Sequence, residues 1–360
     1  MNTKDLFRLM IQREASDLYL RTKAFPRARI NGKVEIIGQK PITSAEMNGI
    51  TNLLLESEQR RKKFIENLDI DFIHEEEGVG RFRINIFTQR GSPVIVARHV
   101  HTTVKSFEEL NLPVDVLKKF CEESKGLFIA SGPAGSGKST SIASMIEYIN
   151  NMSAQHVITI EDPIEFLFTD KKSMINQREL GLDVLSYPMA LKYVTQQSPD
   201  IIYIGNIRDE ATMRAAITAT ELGTFVITTF HTINAVQAVV RIINFFPPHL
   251  HDEVRMQLSM ILKGTLALRL LPRKDGKGRI PAYESMVVTP TIARLIREGR
   301  IREIQNYIDE GELFGMRSFK RSLVDLVRDG LVDEHDARRY ADSKDEFDLE
   351  LKGLKRYTDS

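Results

Sequence analysis

Of the 360 residues only one is cysteine, Cys121, and none is tryptophan. A single thiol excludes an intrachain disulfide and any zinc site built from four cysteines. It suits a free-thiol, cytosolic protein. Net charge is also lacking: 50 basic residues against 49 acidic ones leave a formal +1, so the composition gives nothing to draw nucleic acid or an anionic membrane. No apolar run approaches the roughly 20 residues needed to cross a bilayer. The opening MNTKDLFRLMIQREASDL has acids and no apolar core, unlike a signal peptide. With 42% hydrophobic residues, the length suits two globular domains.

Residues 1–100 have the pattern of a small α+β domain. Leu6, Leu9, Met10 and Ile11 mark one face of an amphipathic first helix. RARINGKVEII is strand, Asn31-Gly32 turn, strand. Thr43-x-x-Glu46 fits a capping box opening one helix that runs through LLLESEQRRKKFIENL. DFIHEEEGVGRFRINIFTQRGSPVIVARHV is expected to form three strands, with Glu75 to Glu77 a solvated turn rather than a metal site. Residues 101–113 are expected to be a linker. From 114 to 284, apolar strands (GLFIASG, VITIEDP, DIIYIGN, TFVITTF) alternate with helical patterns, which implies an α/β fold with a mainly parallel sheet. From 285 to 360, short helices separated by glycines form a terminal helical subdomain.

Gly132-Pro133-Ala134-Gly135-Ser136-Gly137-Lys138-Ser139 is a full G-x-x-x-x-G-K-[ST], followed by Thr140, between a strand and a helix. That context identifies a phosphate-binding P-loop. Its glycines let backbone N–H groups turn inward, and the helix start adds partial positive charge. Lys138 would reach the β- and γ-phosphates of ATP, and Ser139 would ligate Mg²⁺. The next strand ends in Glu161-Asp162-Pro163-Ile164-Glu165, carboxylates at the sheet edge where ligands bind in open α/β folds. A later strand ends in Thr228-Thr229-Phe230-His231. His231 is placed to sense the γ-phosphate, to bridge a neighbouring subunit, or to pack as an ordinary hydrogen-bonded histidine. His249 and His251 are expected on the surface, with no third metal ligand beside them.

Together, SDLYL, the P-loop, ITIEDPIEF, KKSMINQRELG, RDEATMRAAITATELG, TTFHT, RIINFFP, LALRLLP and FGMRSF resemble the type IV pilus retraction ATPases of the type II/IV secretion ATPase superfamily, in order and spacing. RIINFFP, DGKGR and ADSKDEFDLELK look closer to the accessory (PilU-type) motors than to the principal (PilT-type) ones. The lack of a four-cysteine element points the same way, to retraction rather than extension. The resemblance implies a PAS-like N-terminal domain and a RecA-like P-loop domain in a homohexameric ring. That ring would be cytoplasmic, acting on an inner-membrane pilus platform protein and working beside a paralogous retraction ATPase. It would have no membrane insertion of its own and no nucleic-acid partner. By the same resemblance Glu161, Asp162 and Glu165 form an acidic box, with Glu165 the catalytic aid, and His231 falls in a histidine box. Arg208 lies in the strand-end motif, and Arg81, Arg83 and Arg98 stand where arginines neutralise the nucleotide's charge.

One departure bears on the chemistry. Where the resembled family keeps a glutamate after the strand-end glycine, this chain reads Gly205-Asn206-Ile207-Arg208-Asp209, and Gln196 stands nearby in sequence where an arginine is usual. An amide can hold a water but cannot take its proton. Two readings follow. One is a retraction motor slowed by Asn206; the other is a nucleotide-binding, hydrolysis-deficient ring subunit that regulates a partner motor. A nucleic-acid translocase would need basic, aromatic-rich loops, and none is present.

Overall fold

The computed structural model describes residues 3–30, 32–100 and 103–353; Asn31 of the expected turn and His101 and Thr102 of the expected linker lie outside the described residues. The chain divides into two compact units, Met1–Thr102 and Thr103–Ser360.

The first unit contains α1 (Thr3–Gln12), β1 (Asp17–Arg21), β2 (Arg27–Ile30), β3 (Lys33–Ile36), α2 (Ser44–Leu54), α3 (Glu58–Asn67), β4 (Asp69–Glu76), β5 (Gly80–Gln89) and β6 (Ser92–Val100). Its strands form one sheet in the order β3-β2-β1-β6-β5-β4, paired antiparallel throughout. Helix α1 buries Leu6, Phe7 and Met10. Leu9 and Ile11 are only half-buried, because Phe7 takes the central place and stacks on Phe82 at 4.1 Å. The capping box at Thr43 is complete. The single helix expected beyond it is two: the chain leaves the helix at Leu55, and the Ser57 hydroxyl accepts from the Arg60 N–H at 3.2 Å to open α3. A serine that captures a backbone donor in an extended conformation offers the chain an alternative to continuing a helix. Glu76 of the acidic trio pairs with Lys4 and His74.

The second unit opens with α4 (Val114–Cys121), β7 (Gly126–Ser131), α5 (Lys138–Met152), β8 (His156–Glu161), β9 (Met174–Glu179), α6 (Tyr187–Val194), β10 (Ile201–Ile204), α7 (Glu210–Glu221), β11 (Phe225–Phe230), α8 (Ala235–Ile243) and α9 (His251–Ile261). It continues with β12 (Leu262–Pro272), β13 (Arg279–Val287), α10 (Pro290–Arg297), α11 (Ile304–Glu310), α12 (Phe319–Arg328), α13 (Glu334–Tyr340) and α14 (Lys344–Leu351). The sheet order is β13-β12-β7-β11-β10-β8-β9, parallel except for the β12–β13 hairpin. Side chains alternate between two cores. Leu127, Ile129, Ile202 and Ile204 face one, whereas Phe128, Ala130, Ile201 and Tyr203 face the other. Strands buried on both faces read as continuous apolar runs, which is why β7, β8, β10 and β11 are visible in the sequence. The other three are not so marked: β9 is a polar edge strand, and β12 carries a charge within its run.

The segment expected to be a linker contributes Phe107 and Leu112 to the second core, so much of residues 103–113 is packed against this unit. A third core, from Leu271, Ile280, Phe319, Leu323 and Phe347, ties α12 and α14 to the β12–β13 hairpin. His249 is exposed, but His251 is half-buried and its Nε2 lies 2.9 Å from the Phe246 carbonyl.

Gly264 sits where β12 crosses α4. A Cβ there would overlap the Phe120 ring and fall 2.5 Å from the Met286 carbonyl. Gly264→Ala is expected to cost about 1–3 kcal/mol in denaturant unfolding, the usual range for overpacking. Unchanged stability would contradict this packing.

Candidate nucleotide site

The P-loop joins β7 to α5, and its shape follows from its glycines. Gly132, Gly135 and Gly137 have φ of 141°, 74° and 96°, values that side chains resist. At Gly132 space is also short: a Cβ would lie 2.5 Å from the Leu268 carbonyl and from Ser136 Oγ. The loop is fastened to the sheet by the Gly132 N–H, which donates to the Phe230 carbonyl at 3.2 Å. Lys138 is buried, and its Nζ donates to the Gly132 and Pro133 carbonyls at 2.8 and 2.9 Å. The ammonium therefore stands within the loop. Ser136 Oγ is buried without a hydrogen-bond partner among the described residues. A close-approach cradle, a lysine inside it and an unsatisfied hydroxyl fit a phosphate chain.

The other candidates hang from neighbouring strand ends. His231 follows β11, the strand beside β7. Asn206 follows β10, and β11 lies between that strand and the P-loop strand in the same sheet. Glu161 ends β8 on the far side of β10. Thr228 and Thr229 donate to the Ile204 and Gly205 carbonyls at 3.0 and 2.5 Å, and the Gly205 N–H donates to the Ile160 carbonyl at 2.8 Å. These bonds fix the turn that carries Asn206. The acidic loop is held from β9: Glu179 accepts from the Ile164 N–H at 3.1 Å, and Gln177 donates to the Phe166 carbonyl at 2.8 Å. Asp209 is the N-cap of α7, accepting from the Thr212 N–H at 2.8 Å, while Arg208 beside it is exposed. Gln196 lies exposed in a 3₁₀ turn ahead of β10. Although near Asn206 in sequence, it precedes β10 whereas Asn206 follows it, so the strand, about 13 Å long at 3.3 Å per residue, lies between them.

Charge couples these groups. Burial pulls the Lys138 ammonium below its usual pKa, and Glu165 opposes that. Burial pushes Glu161 up to about 7, against hydrogen bonds from Thr159 (2.7 Å) and Gln177 (3.3 Å) and with the charge of Glu165 adding to the rise. Burial, then the charges of Lys138 and Arg208, hold His231 below the usual imidazole value, so at pH 7 it is neutral. A neutral imidazole is a hydrogen-bonding group rather than a counter-charge.

A Type II/IV secretion system protein model matches residues 5–331. The chain is 39% identical to the type IV pilus ATPase PilU of Pseudomonas aeruginosa over 98% of its own length and 92% of that protein. It belongs to the type II/IV secretion ATPases, on their type IV pilus retraction branch. To the type IV pilus retraction ATPase PilT of the same organism it is 37% identical, over 96% of this chain and all of that one. The nearly equal identities favour neither type within the branch. The crystal structure of the pilus retraction motor PilT with bound ADP superposes with a TM-score of 0.85 at 37% identity, over 96% of this chain and 98% of that one.

As a family member the chain still has positions that pattern reading passed over. A cavity of about 510 Å³ opens beside the P-loop, lined by Pro133 to Ser136, Arg269, Arg279, Arg339 and Asp342. Arg269 is buried; it donates to Asp342 at 2.8 Å and to the Tyr340 carbonyl at 2.6 Å, and it covers the Phe319 ring. An arginine inside the apolar run LALRLLP was the available signal, since a buried charge demands partners. Arg81, Arg83 and Arg98 belong to the first unit, on β5 and β6. There Arg83 is bound to Asp71 and Arg98 to Asp17, and Arg81 Nε is buried without a partner among the described residues.

Glu161 gives a stability prediction. Its folded pKa, raised from 4.5 to about 7, favours the protonated acid, so its stabilising share is full below pH 4.5 and is lost as pH rises through 7. Glu161→Gln, a neutral near-isostere, is expected to raise the melting temperature at pH 8 and to match the parent at pH 5. The same difference at both pH values would contradict the shift.

Proposed function

We propose that this chain is an ATP-driven motor of type IV pilus retraction, slowed by Asn206, which works as a homohexamer at the cytoplasmic face of the inner membrane and engages the pilus platform protein. The observation that carries the reading is a complete P-loop, with Lys138 held inside it, on the same sheet edge as Glu165, Asn206 and His231. Binding draws on Gly132 to Thr140, with Lys138 as the fixed positive charge. Mg²⁺ suits the oxygen donors here, the Ser139 hydroxyl foremost and the carboxylates of the acidic loop beyond it. When bound it neutralises charge on the phosphates.

The chain's own residues then divide the work. Asn206 holds the attacking water by its amide and leaves the proton unclaimed. Glu165, coupled electrostatically to Lys138 and Glu161, is the available acceptor. Glu161 is buried and its carboxyl is already engaged by Thr159 and Gln177, so it is not the acceptor proposed here. His231, neutral, offers a hydrogen bond toward the γ-phosphate. Arg208 adds positive charge beside it. In the assembled ring Arg81, Arg83 and Arg98 are the proposed further counter-charges. For Arg83 and Arg98 that role requires sharing or releasing Asp71 and Asp17. The hydrolysis-deficient subunit reading rests on the pairing of Asn206 with Gln196, and their placement at opposite ends of β10 weakens it.

Steady-state ATP turnover separates the two. The parent is expected to hydrolyse ATP slowly but above a Lys138→Ala control. Asn206→Glu should raise kcat by about 10²-fold or more, the usual worth of general-base assistance, with ATP affinity little changed. Parent turnover no greater than the control, with ATP still bound, would defeat the motor reading.

A further inference from the structure

The first residue of α6, Tyr187, carries a polar group that neither the fold nor the chemistry above uses. Its ring packs against the core between α6 and the sheet. Its hydroxyl is buried and has no hydrogen-bond partner among the described residues. Leaving such a group unsatisfied costs roughly 1–3 kcal/mol, so an orphaned one needs a reason. Where it sits supplies one. A Cβ built on Gly205 would lie 3.3 Å from that oxygen, so the hydroxyl rests against the peptide that leads into Asn206. The Asn206 main-chain N–H is near enough to act electrostatically on it, though the two make no hydrogen bond. The charges of Asp162, Arg208 and Glu161 are felt at the same oxygen. One hydroxyl thus stands at the strand end of β10, beside Gly205, which itself lies against the end of β8 at Ile160 and Glu161. It can accept from the Asn206 N–H and donate to a carboxylate.

The ring cannot swing away freely. Ser186 caps α6 by accepting from the Met189 N–H at 3.3 Å, and Pro188 stiffens the first turn. The same geometry explains Gly205: any side chain there would meet the Glu161 Cα at 3.2 Å, the Ile160 carbonyl at 3.3 Å and the tyrosine oxygen. The small residue admits the hydroxyl to the strand end.

We propose that Tyr187 is a positioning residue for ATP hydrolysis, its hydroxyl packed against Gly205 and, with nucleotide bound, bridging the Asn206 N–H and the acidic loop so that the Asn206 amide holds water in line with the γ-phosphate. An amide has only position to offer, so its place matters more than that of a base. The inference rests on the motor reading above. It concerns a residue that acts through Asn206 and touches neither nucleotide nor metal.

The test is a double-mutant cycle on ATP turnover by the full chain. Tyr187→Phe keeps the ring and removes only the hydroxyl. It is expected to lower kcat by about 10- to 100-fold, the range for a misplaced catalytic group, with KM within about twofold. In an Asn206→Ala background the same change should lower the residual kcat less than about twofold, because the group it positions is gone. Fluorescent-ADP binding, unchanged in every variant, shows that the P-loop domain is folded. A Tyr187→Phe kcat within twofold of the parent overturns the proposal. So does an equal loss in both backgrounds, which would mark the hydroxyl as a general structural element. Parent turnover no greater than Lys138→Ala would sink this inference and the motor reading together, whereas normal parent turnover with an unchanged Tyr187→Phe sinks this one alone.

Discussion

Parallel pairing of β7, β11, β10 and β8 is the constraint on which the site depends. Parallel strands end on the same edge, so one register decides which groups meet. With Ser131 opposite Phe230, Ile204 opposite Thr228 and Ile160 opposite Ile204, the P-loop, His231, Asn206 and Glu161 all leave the sheet together. The hydroxyls of Thr228 and Thr229 and the N–H of Gly205 add bonds just where the ladder stops. A slip of one residue would turn each of these groups to the other face. The two apolar cores prevent it, since the alternation of Ile202 and Ile204 against Ile201 and Tyr203 satisfies both faces in one register only.

On that edge the chain concentrates charge that burial penalises. Lys138 loses part of its preference for the ammonium and Glu161 part of its preference for the carboxylate. His231 is kept neutral by burial and by two positive neighbours. A glutamate at 206 would bring another negative charge to this edge, where His231 already feels the charges of Lys138 and Arg208. The amide adds no charge there, which agrees with an ATP affinity that changes little between the two residues.

What the sequence disclosed divides along the line between local and distant causes. The P-loop was legible because three glycines and a lysine fix its shape within eight residues. The four inner strands were legible because burial on both faces demands unbroken apolar runs, and the Thr43 capping box was legible because both its partners lie three residues apart. The rest depends on contacts far along the chain. The Ser57 hydroxyl starts a new helix where amphipathic pattern alone continues the old one. Gln177 and Glu179, in a polar edge strand, hold the acidic loop at Phe166 and Ile164, 11 and 15 residues before them. Tyr187 meets Gly205 across 18 positions, and nothing in its own neighbourhood predicts that. Gln196 shows the reverse case: it is close to Asn206 in sequence, and the direction of β10 separates them.

The central claim is that nucleotide binding is intact and that cleavage of the bound phosphate is the slow step. A single-turnover experiment tests it most directly: protein in excess over γ-labelled ATP, with binding and cleavage followed separately on the same mixture. The account predicts that ATP binds quickly and stays intact for many seconds before phosphate is formed, with release of products faster than cleavage. Rapid cleavage followed by slow product release, or failure to bind ATP at all, would contradict it.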